Sequence, residues 1–186
     1  SVNLVCDRPQ TLSRWLWLVK WIMLIPHFII LYFFGWISIP LMFLNWIIVV
    51  IVGVRPRVLF DFFVGLFRWQ TRVNIYLAHL TDSYPPFSMQ SASNYPVEIN
   101  VEYTRKANRI TSFFRLLMLI PHWILIYPLA FLAFGAIIFH MIYVTLMGKP
   151  HAEVFNLIVS LSRWYLRVNM YFSLATDRYP PILKFS

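Results

Sequence analysis

Residues 15–54 read WLWLVKWIMLIPHFIILYFFGWISIPLMFLNWIIVVIVGV, an almost unbroken apolar run in which Lys20 is the only fixed charge. The run contains the tripeptide Ile25-Pro26-His27 and closes at Gly53-Val54. About 20 apolar residues suffice for a helix to cross the hydrocarbon core of a bilayer. The run therefore predicts membrane-spanning helices.

The composition of the whole chain supports this prediction. Of its 186 residues, 60% are hydrophobic and only 12% are charged, against about 25% charged in a typical soluble domain. A soluble domain of this length has too little interior to hide so much apolar surface. We expect an integral membrane protein, of either a plasma membrane or an energy-transducing membrane.

The net charge of +9 has a membrane explanation. The basic residues flank the apolar runs, as expected for the positive-inside bias and for contact with anionic head groups. Lipids are therefore the predicted partners, and nucleic acid is not. The single cysteine, Cys6, excludes an intrachain disulfide.

The chain contains an internal repeat. Residues 14–86 align with residues 109–181 without a gap, and 25 of the 73 pairs are identical. A repeat of this kind indicates a duplicated structural unit. We predict a first membrane repeat over 1–87, a linker over 88–96 and a second membrane repeat over 97–186.

Each apolar run is predicted to form a transmembrane helical hairpin. In the first run Gly35 and Ser38 mark the expected turn, between helices over 15–33 and 36–54; the second run divides into 109–127 and 128–147. Gly53 and Gly148, each followed by proline within three residues, should end the hairpins.

An amphipathic helix is expected after each hairpin, over 58–80 and 151–174. Central arginines argue against its spanning the bilayer, so we place it in the plane of the interface. The segments before the repeats, with Val2, Leu4 and Cys6 or Val97 and Ile99 alternating with polar residues, predict a small β-ribbon. The fold class is thus all-α integral membrane with this ribbon added.

The positive-inside rule favours an even number of crossings per repeat, because the basic residues of the two halves match in position. This gives four crossings and parallel repeats. The alternative is one long helix from Pro26 to Val52, about 40 Å in length, behind a first helix in the membrane plane.

The motifs of the first repeat are an Ile-Pro-His step, a Gly-x-x-Pro break, Phe-Asp-Phe, Arg-Trp-x-x-Arg-Val-Asn-x-Tyr and Thr-Asp-x-Tyr-Pro-Pro. Together they resemble the tandem DUF4389 domain, a membrane domain of undefined function. The second copy has Asn156 in place of Asp61, and Pro150-His151 in place of Arg55-Pro56. The resemblance implies membrane embedding and supplies no reaction.

His27 and His122 occupy equivalent positions and are the candidate cofactor ligands. Neutral imidazole can ligate the metal of haem or another tetrapyrrole. The alternative is a structural role, in which each histidine satisfies hydrogen bonds near the proline that precedes it.

Six cations are candidates for contact with lipid head groups at the interface. Arginine forks fit phosphate geometry, but for Arg68, Arg72, Arg163 and Arg167 an alternative is pairing with Asp61, Asp82 and Asp177. A role in translocation is the third alternative. The six are Lys20, Arg68, Arg72, Arg115, Arg163 and Arg167.

The segments Tyr84-Pro85-Pro86 and Tyr179-Pro180-Pro181 are predicted to be rigid and extended. They could dock a partner or cap the preceding helix.

No motif indicates an enzyme or a metal site, since the chain has no phosphate-binding loop, nucleophile elbow or paired ligand spacing. We expect a structural or accessory subunit that packs with lipids and other integral membrane subunits in a larger complex. The alternatives are a small transporter or channel with its pathway between the repeats, and binding of haem or pigment.

Overall fold

The computed structural model describes residues 2–92 and 94–181 of the chain. The predicted end of the second repeat, 182–186, lies outside them. Within this part the chain is mostly helical, with one strand before each repeat. The elements are β1 (Val2–Cys6), α1 (Trp17–Met23), α2 (Ile25–Val52), α3 (Arg57–Leu77), β2 (Val97–Val101), α4 (Arg109–Phe113), α5 (Arg115–Met147) and α6 (Ala152–Phe172).

The predicted hairpin turn at Gly35 and Ser38 is wrong, because α2 continues through both residues and through Pro40. The Ser38 hydroxyl donates a hydrogen bond back to the Gly35 carbonyl at 2.7 Å, so it is satisfied inside the helix. Proline removes only one backbone donor, and a turn would leave several backbone groups without partners. The 28 residues of α2 extend about 42 Å.

The predicted division of the second run at residue 128 is wrong for the same reason. Helix α5 has 33 residues and includes both Pro121 and Pro128. A short helix, α4, precedes it, and the Asn108 side chain caps α4 by accepting from the amides of Ile110 and Thr111.

Two helices, α2 and α5, are long and apolar enough to span a membrane. The described residues thus contain two candidate spans where four crossings were predicted, which agrees with the alternative of one long helix per repeat. Only 11% of the most apolar window of each helix is buried. This exposure distinguishes them from the core helices of a soluble protein.

The predicted ends of these helices are confirmed. Gly53 and Gly148 have left-handed φ angles of 74° and 70°, a conformation that favours glycine at a helix end. The Gly53 carbonyl accepts from the Ala107 amide and the Gly148 carbonyl from the Leu12 amide, both at 3.0 Å. Each repeat therefore supplies a hydrogen-bond donor to the carboxyl end of the other repeat's long helix.

The amphipathic helices are found at about the predicted positions, but they lie inside the protein. Helices α3 and α6 pack on each other, and their apolar faces form the main core with residues of both strands. An interfacial helix would instead present this face to lipid. The predicted contact of these apolar faces with lipid is therefore wrong, whereas the orientation of the two helices in the plane of a membrane stays a prediction.

The predicted β-ribbon is confirmed. Strands β1 and β2 pair antiparallel, with Leu4 opposite Ile99, and both side chains are fully buried in the main core. Strand β1 contacts α6 and β2 contacts α3. The ribbon thus joins the two repeats across the helix pair.

Candidate functional site

The Thr-Asp motif that ends the first repeat folds back onto the start of the same repeat. The Lys20 ammonium donates to the Thr81 carbonyl at 2.6 Å and lies 3.1 Å from the Asp82 carboxylate. It also sits 4.4 Å from the ring centre of Tyr76. Lys20 is 1% exposed, so burial lowers its pKa to about 8 while Asp82 acts in the opposite direction.

The second repeat builds the equivalent cluster with a stronger cation. Arg115 donates to the carbonyls of Tyr171 and Thr176 and to the Asp177 carboxylate at 2.8 Å. The guanidinium carbon lies 4.3 Å from the Tyr171 ring centre. Both clusters thus join a cation, an aspartate and an aromatic ring in the same arrangement.

Arg55 of the first repeat makes the second cluster larger. Its guanidinium lies 3.1 Å from Asp177 and donates to the Leu174 carbonyl and to the Thr104 hydroxyl, the latter at 2.7 Å. Arg55 is fully buried. Asp177 therefore neutralises two guanidinium groups that come from different repeats.

His79 is the second basic side chain near Asp82, as Arg55 is near Asp177. Its Nδ1 lies 3.9 Å from the carboxylate, and its Nε2 lies 2.9 Å from the Ser13 carbonyl. The residue has a left-handed φ of 61° and is fully buried. Burial and the nearby Lys20 charge lower the pKa of His79 to about 4, so the imidazole is neutral near pH 7.

Asn45 and His140 connect the repeats at equivalent positions of α2 and α5. Asn45 donates to the Ser173 carbonyl at 3.1 Å, and His140 Nε2 lies 3.2 Å from the His79 carbonyl. Both carbonyls lie just after an amphipathic helix, where carbonyls lack intrahelical partners. Each long helix therefore caps the amphipathic helix of the other repeat.

His27 lies inside its own repeat, against aromatic residues. Its Nδ1 accepts a hydrogen bond from Trp69 Nε1 at 2.9 Å. Its ring stacks on Phe87 with centroids 3.8 Å apart and contacts the Tyr84 ring edge-on. His27 is fully buried, and its Nε2 has no partner within the part of the chain that the structure describes.

His122 makes different bonds within the second repeat. Its Nε2 lies 3.0 Å from the Pro180 carbonyl and its Nδ1 lies 3.3 Å from the Tyr179 hydroxyl. Here the indole donor of Trp164 has no partner among the described residues. Each histidine thus contacts the Tyr-Pro-Pro segment of its own repeat, and no contact among the described residues brings the two histidines together.

This difference between the repeats gives a matched pair of variants. Trp69→Phe removes the donor to His27 and is expected to lower the free energy of unfolding by about 1–2 kcal/mol more than Trp164→Phe. The loss of ring volume is common to both. Urea unfolding in detergent, followed by circular dichroism, measures the difference; equal losses would contradict a stabilising bond between Trp69 and His27.

Three other arginines of the predicted head-group set, Arg68, Arg72 and Arg163, bond the ribbon or the linker. Arg68 donates to the Ile99 carbonyl at 2.9 Å, and Arg163 donates to the Leu4 carbonyl at 3.1 Å. Arg72 is fully buried and donates to the Gln90 carbonyl at 3.0 Å. Burial lowers the pKa of Arg68, Arg72 and Arg167.

The head-group prediction needs correction for three of its six residues. Lys20, Arg72 and Arg115 are at most 1% exposed, because carbonyl groups and carboxylates of the protein surround them. Sequence reasoning weighed pairing with aspartate for the arginines, but charge alone gives no measure of burial. It also missed Arg55, Asn45 and His79, although the position of Asn45 opposite His140 in the repeat alignment was a usable signal.

The Tyr-Pro-Pro segments bond within the chain. The Tyr84 hydroxyl donates to the Met23 carbonyl at 2.9 Å, and the Tyr179 hydroxyl donates to the Met118 carbonyl at 3.1 Å. Pro85 is buried in the first segment. Each tyrosine hydroxyl therefore fastens its segment near the start of a long helix; capping of the preceding helix and docking of a partner stay predictions.

Fold and clusters together define a duplicated helical protein with two long, exposed apolar helices and buried charged clusters, one of which joins the two repeats. The chain belongs to the DUF4389 family, described as a domain of unknown function, whose model matches residues 14–89 and 109–184. This confirms the family resemblance and the tandem arrangement. No curated protein and no solved structure matches the chain.

Proposed function

We propose that the protein is an integral membrane protein with a structural or accessory role, packed against lipids and other membrane subunits. The observation that carries the proposal is the apolar surface of α2 and α5. Side chains at least half exposed occur along both helices, among them Phe33, Trp36, Ile39, Phe43, Ile51, Leu117, Ile124, Phe131, Phe134 and Leu146. Soluble monomers rarely expose contiguous apolar surface beyond a few hundred Å².

The internal contacts of the polar groups favour a structural role over transport or cofactor binding. The fixed charges near the long helices, Lys20, Arg55 and Arg115, bond to carbonyls and aspartates of the chain. His27 and His122 bond to indole, hydroxyl or carbonyl groups of their own repeats. In our proposal these residues hold the repeats together, and the exposed apolar faces form the interface with the surroundings.

Membrane embedding is tested with one charge placed on the apolar surface. Phe131, in the middle of α5, is 81% exposed. Phe131→Arg should disfavour insertion by about 2.5–3.5 kcal/mol, the cost of arginine at the centre of a spanning helix. We expect the variant to shift from the carbonate-resistant membrane fraction to the soluble or aggregated fraction.

The matched control is Val58→Arg. Val58 is 79% exposed in α3, outside the two candidate spans, and this variant should remain in the membrane fraction. Equal behaviour of the two variants would contradict embedding through α5.

The accessory role is tested by purification from the native membrane in a mild detergent. We expect specific membrane proteins and lipids to co-purify with the chain. A stable, monodisperse monomer without other subunits would argue against this role.

A further inference from the structure

An open polar groove lies where α5 is joined to α6, and we call it the α5–α6 groove. Its volume is about 800 Å³. It is formed by the chain after β1, the last turns of α5 and the first turn of α6. The lining residues are Arg8, Pro9, Gln10, Tyr143, Lys149, Pro150, His151, Ala152 and Glu153.

The groove has an excess of positive charge. Arg8 and Lys149 are exposed, and within residues 2–92 and 94–181 neither forms an ion pair. Glu153 is the one carboxylate among the described lining residues. His151 packs edge-on against Tyr143, and its Nδ1 is buried without a partner within the described chain. The lining thus carries two fixed cations and one carboxylate, with the imidazole of His151 beside them.

The equivalent place at the end of α2 is filled by bonds within the protein. There the counterpart of Arg8 is Tyr103, whose hydroxyl donates to the Arg55 carbonyl at 2.7 Å. The Arg57 guanidinium lies 4.6 Å from the Tyr103 ring centre and pairs with Asp61 at 2.9 Å. At the end of α5, Arg8 stands in place of Tyr103, and Ala152 and Asn156 stand in place of Arg57 and Asp61; no equivalent bonds form in the described chain.

The groove adjoins the end of an exposed apolar helix. Lys149 follows Met147, the last residue of α5, by two positions. Ile142, Leu146 and Met147 are each more than half exposed on the last turns of that helix. A molecule held in the groove by an anionic group could thus lay an apolar chain along α5.

We propose that the α5–α6 groove binds the phosphate of an anionic lipid head group. Arg8 offers a bidentate fork to two phosphate oxygens, and Lys149 adds a second positive charge. The acyl chains of the lipid run along the exposed end of α5. This inference rests on the proposed membrane embedding, and it moves head-group binding from the buried cations to Arg8 and Lys149.

The binding test compares phosphatidylglycerol with phosphatidylcholine, titrated into the detergent-solubilised protein and followed by native mass spectrometry. Near a membrane surface each basic residue strengthens the attraction to anionic lipid about fivefold. We therefore expect the double variant Arg8→Gln/Lys149→Gln to bind phosphatidylglycerol at least tenfold more weakly. The control Lys106→Gln/Arg178→Gln makes the same charge change at exposed residues outside the groove and should bind like the wild type.

Glu153→Gln gives a test in the opposite direction. Removing the carboxylate from the groove should strengthen phosphatidylglycerol binding several-fold, whereas a merely structural role of this residue would not. The proposal is overturned if the double variant retains wild-type binding, or if Glu153→Gln leaves the affinity unchanged or lowers it.

Competition with inorganic phosphate distinguishes a lipid ligand from a free phosphate ion. We expect millimolar phosphate to compete weakly, because it lacks the acyl chains that contact α5. If phosphate alone binds as tightly as phosphatidylglycerol, the lipid assignment is wrong. Carbonate extraction of the double variant tests membrane embedding independently. If the variant stays in the membrane fraction but loses lipid binding, the result supports the groove. If it stays there and binds lipid as the wild type does, the groove proposal is wrong and the proposed function is unaffected.

Discussion

Asp177→Asn is expected to lower the free energy of unfolding by about 3 kcal/mol, because it leaves two buried guanidinium groups without their counter-charge. The carboxylate lies 2.8 Å from Arg115 and 3.1 Å from Arg55, and both arginines are at most 1% exposed. Asp177 itself keeps 28% of its side chain exposed, so we expect the low end of the range for a broken buried ion pair. Urea unfolding in detergent, followed by tryptophan fluorescence, measures the loss.

The matched control is Asp61→Asn, which removes an exposed partner of Arg57. The two side chains of that pair are 54% and 62% exposed, and exposed pairs contribute at most about 1 kcal/mol. Asp82→Asn should lie between the two, because its partner Lys20 can release a proton whereas an arginine cannot. If Asp177→Asn costs no more than Asp61→Asn, the cluster does not stabilise the fold.

The stability of the protein is expected to rise with pH between about 8 and 9.5 because of Lys20. Its pKa is lowered to about 8 in the folded state and stays near 10.4 in the unfolded chain. Over this range the unfolded state binds more protons, so raising the pH favours folding. At about 1.4 kcal/mol per pH unit, the gain is about 1–2 kcal/mol.

This measurement requires a Cys6→Ala background. Burial raises the pKa of the Cys6 thiol to about 12, so its ionisation in the unfolded chain, where the pKa is about 8.5, would oppose the effect of Lys20 over the same pH range. Lys20→Met in the same background should abolish the rise in stability between pH 8 and 9.5. If the free energy of unfolding still rises with pH in the variant without Lys20, another titrating group causes the rise.

Several features of the fold could be predicted because their signals are local. Gly53 and Gly148 have no side chain to oppose a left-handed backbone, so their positions identify the helix ends. The alternation around Leu4 and Ile99 identifies the strands, and the gapless repeat makes the two halves equivalent. These features depend on residues near each other in the chain or on the repeat itself.

The helical hairpin could not be predicted correctly, because turn signals such as Gly35 and Ser38 are derived largely from structures in water. There, a broken helical hydrogen bond is replaced by one to solvent, whereas an apolar environment offers no replacement. Continuity of the helix is then favoured over a turn.

The charged clusters were missed because their members are far apart in sequence. Lys20 meets Thr81 and Asp82 more than 60 residues later, and Arg55 meets Asp177 only when both repeats have folded. The prediction of an even number of crossings treated Lys20, Arg55 and Arg115 as exposed loop charges, but all three are buried. The positive-inside rule concerns charges in loops, and these three lie within the protein.

The reciprocal closure of the long helices has a consequence for assembly. The Gly148 carbonyl accepts a hydrogen bond from the Leu12 amide, and the Gly53 carbonyl accepts one from the Ala107 amide. Each half therefore supplies both a donor and an acceptor at equivalent positions, as in an isologous two-fold dimer. One polypeptide thus carries a homodimer-like interface. A protein with a single copy of this unit would satisfy the same groups by pairing with a second molecule, and the segment 88–96 would then be dispensable as a covalent tether.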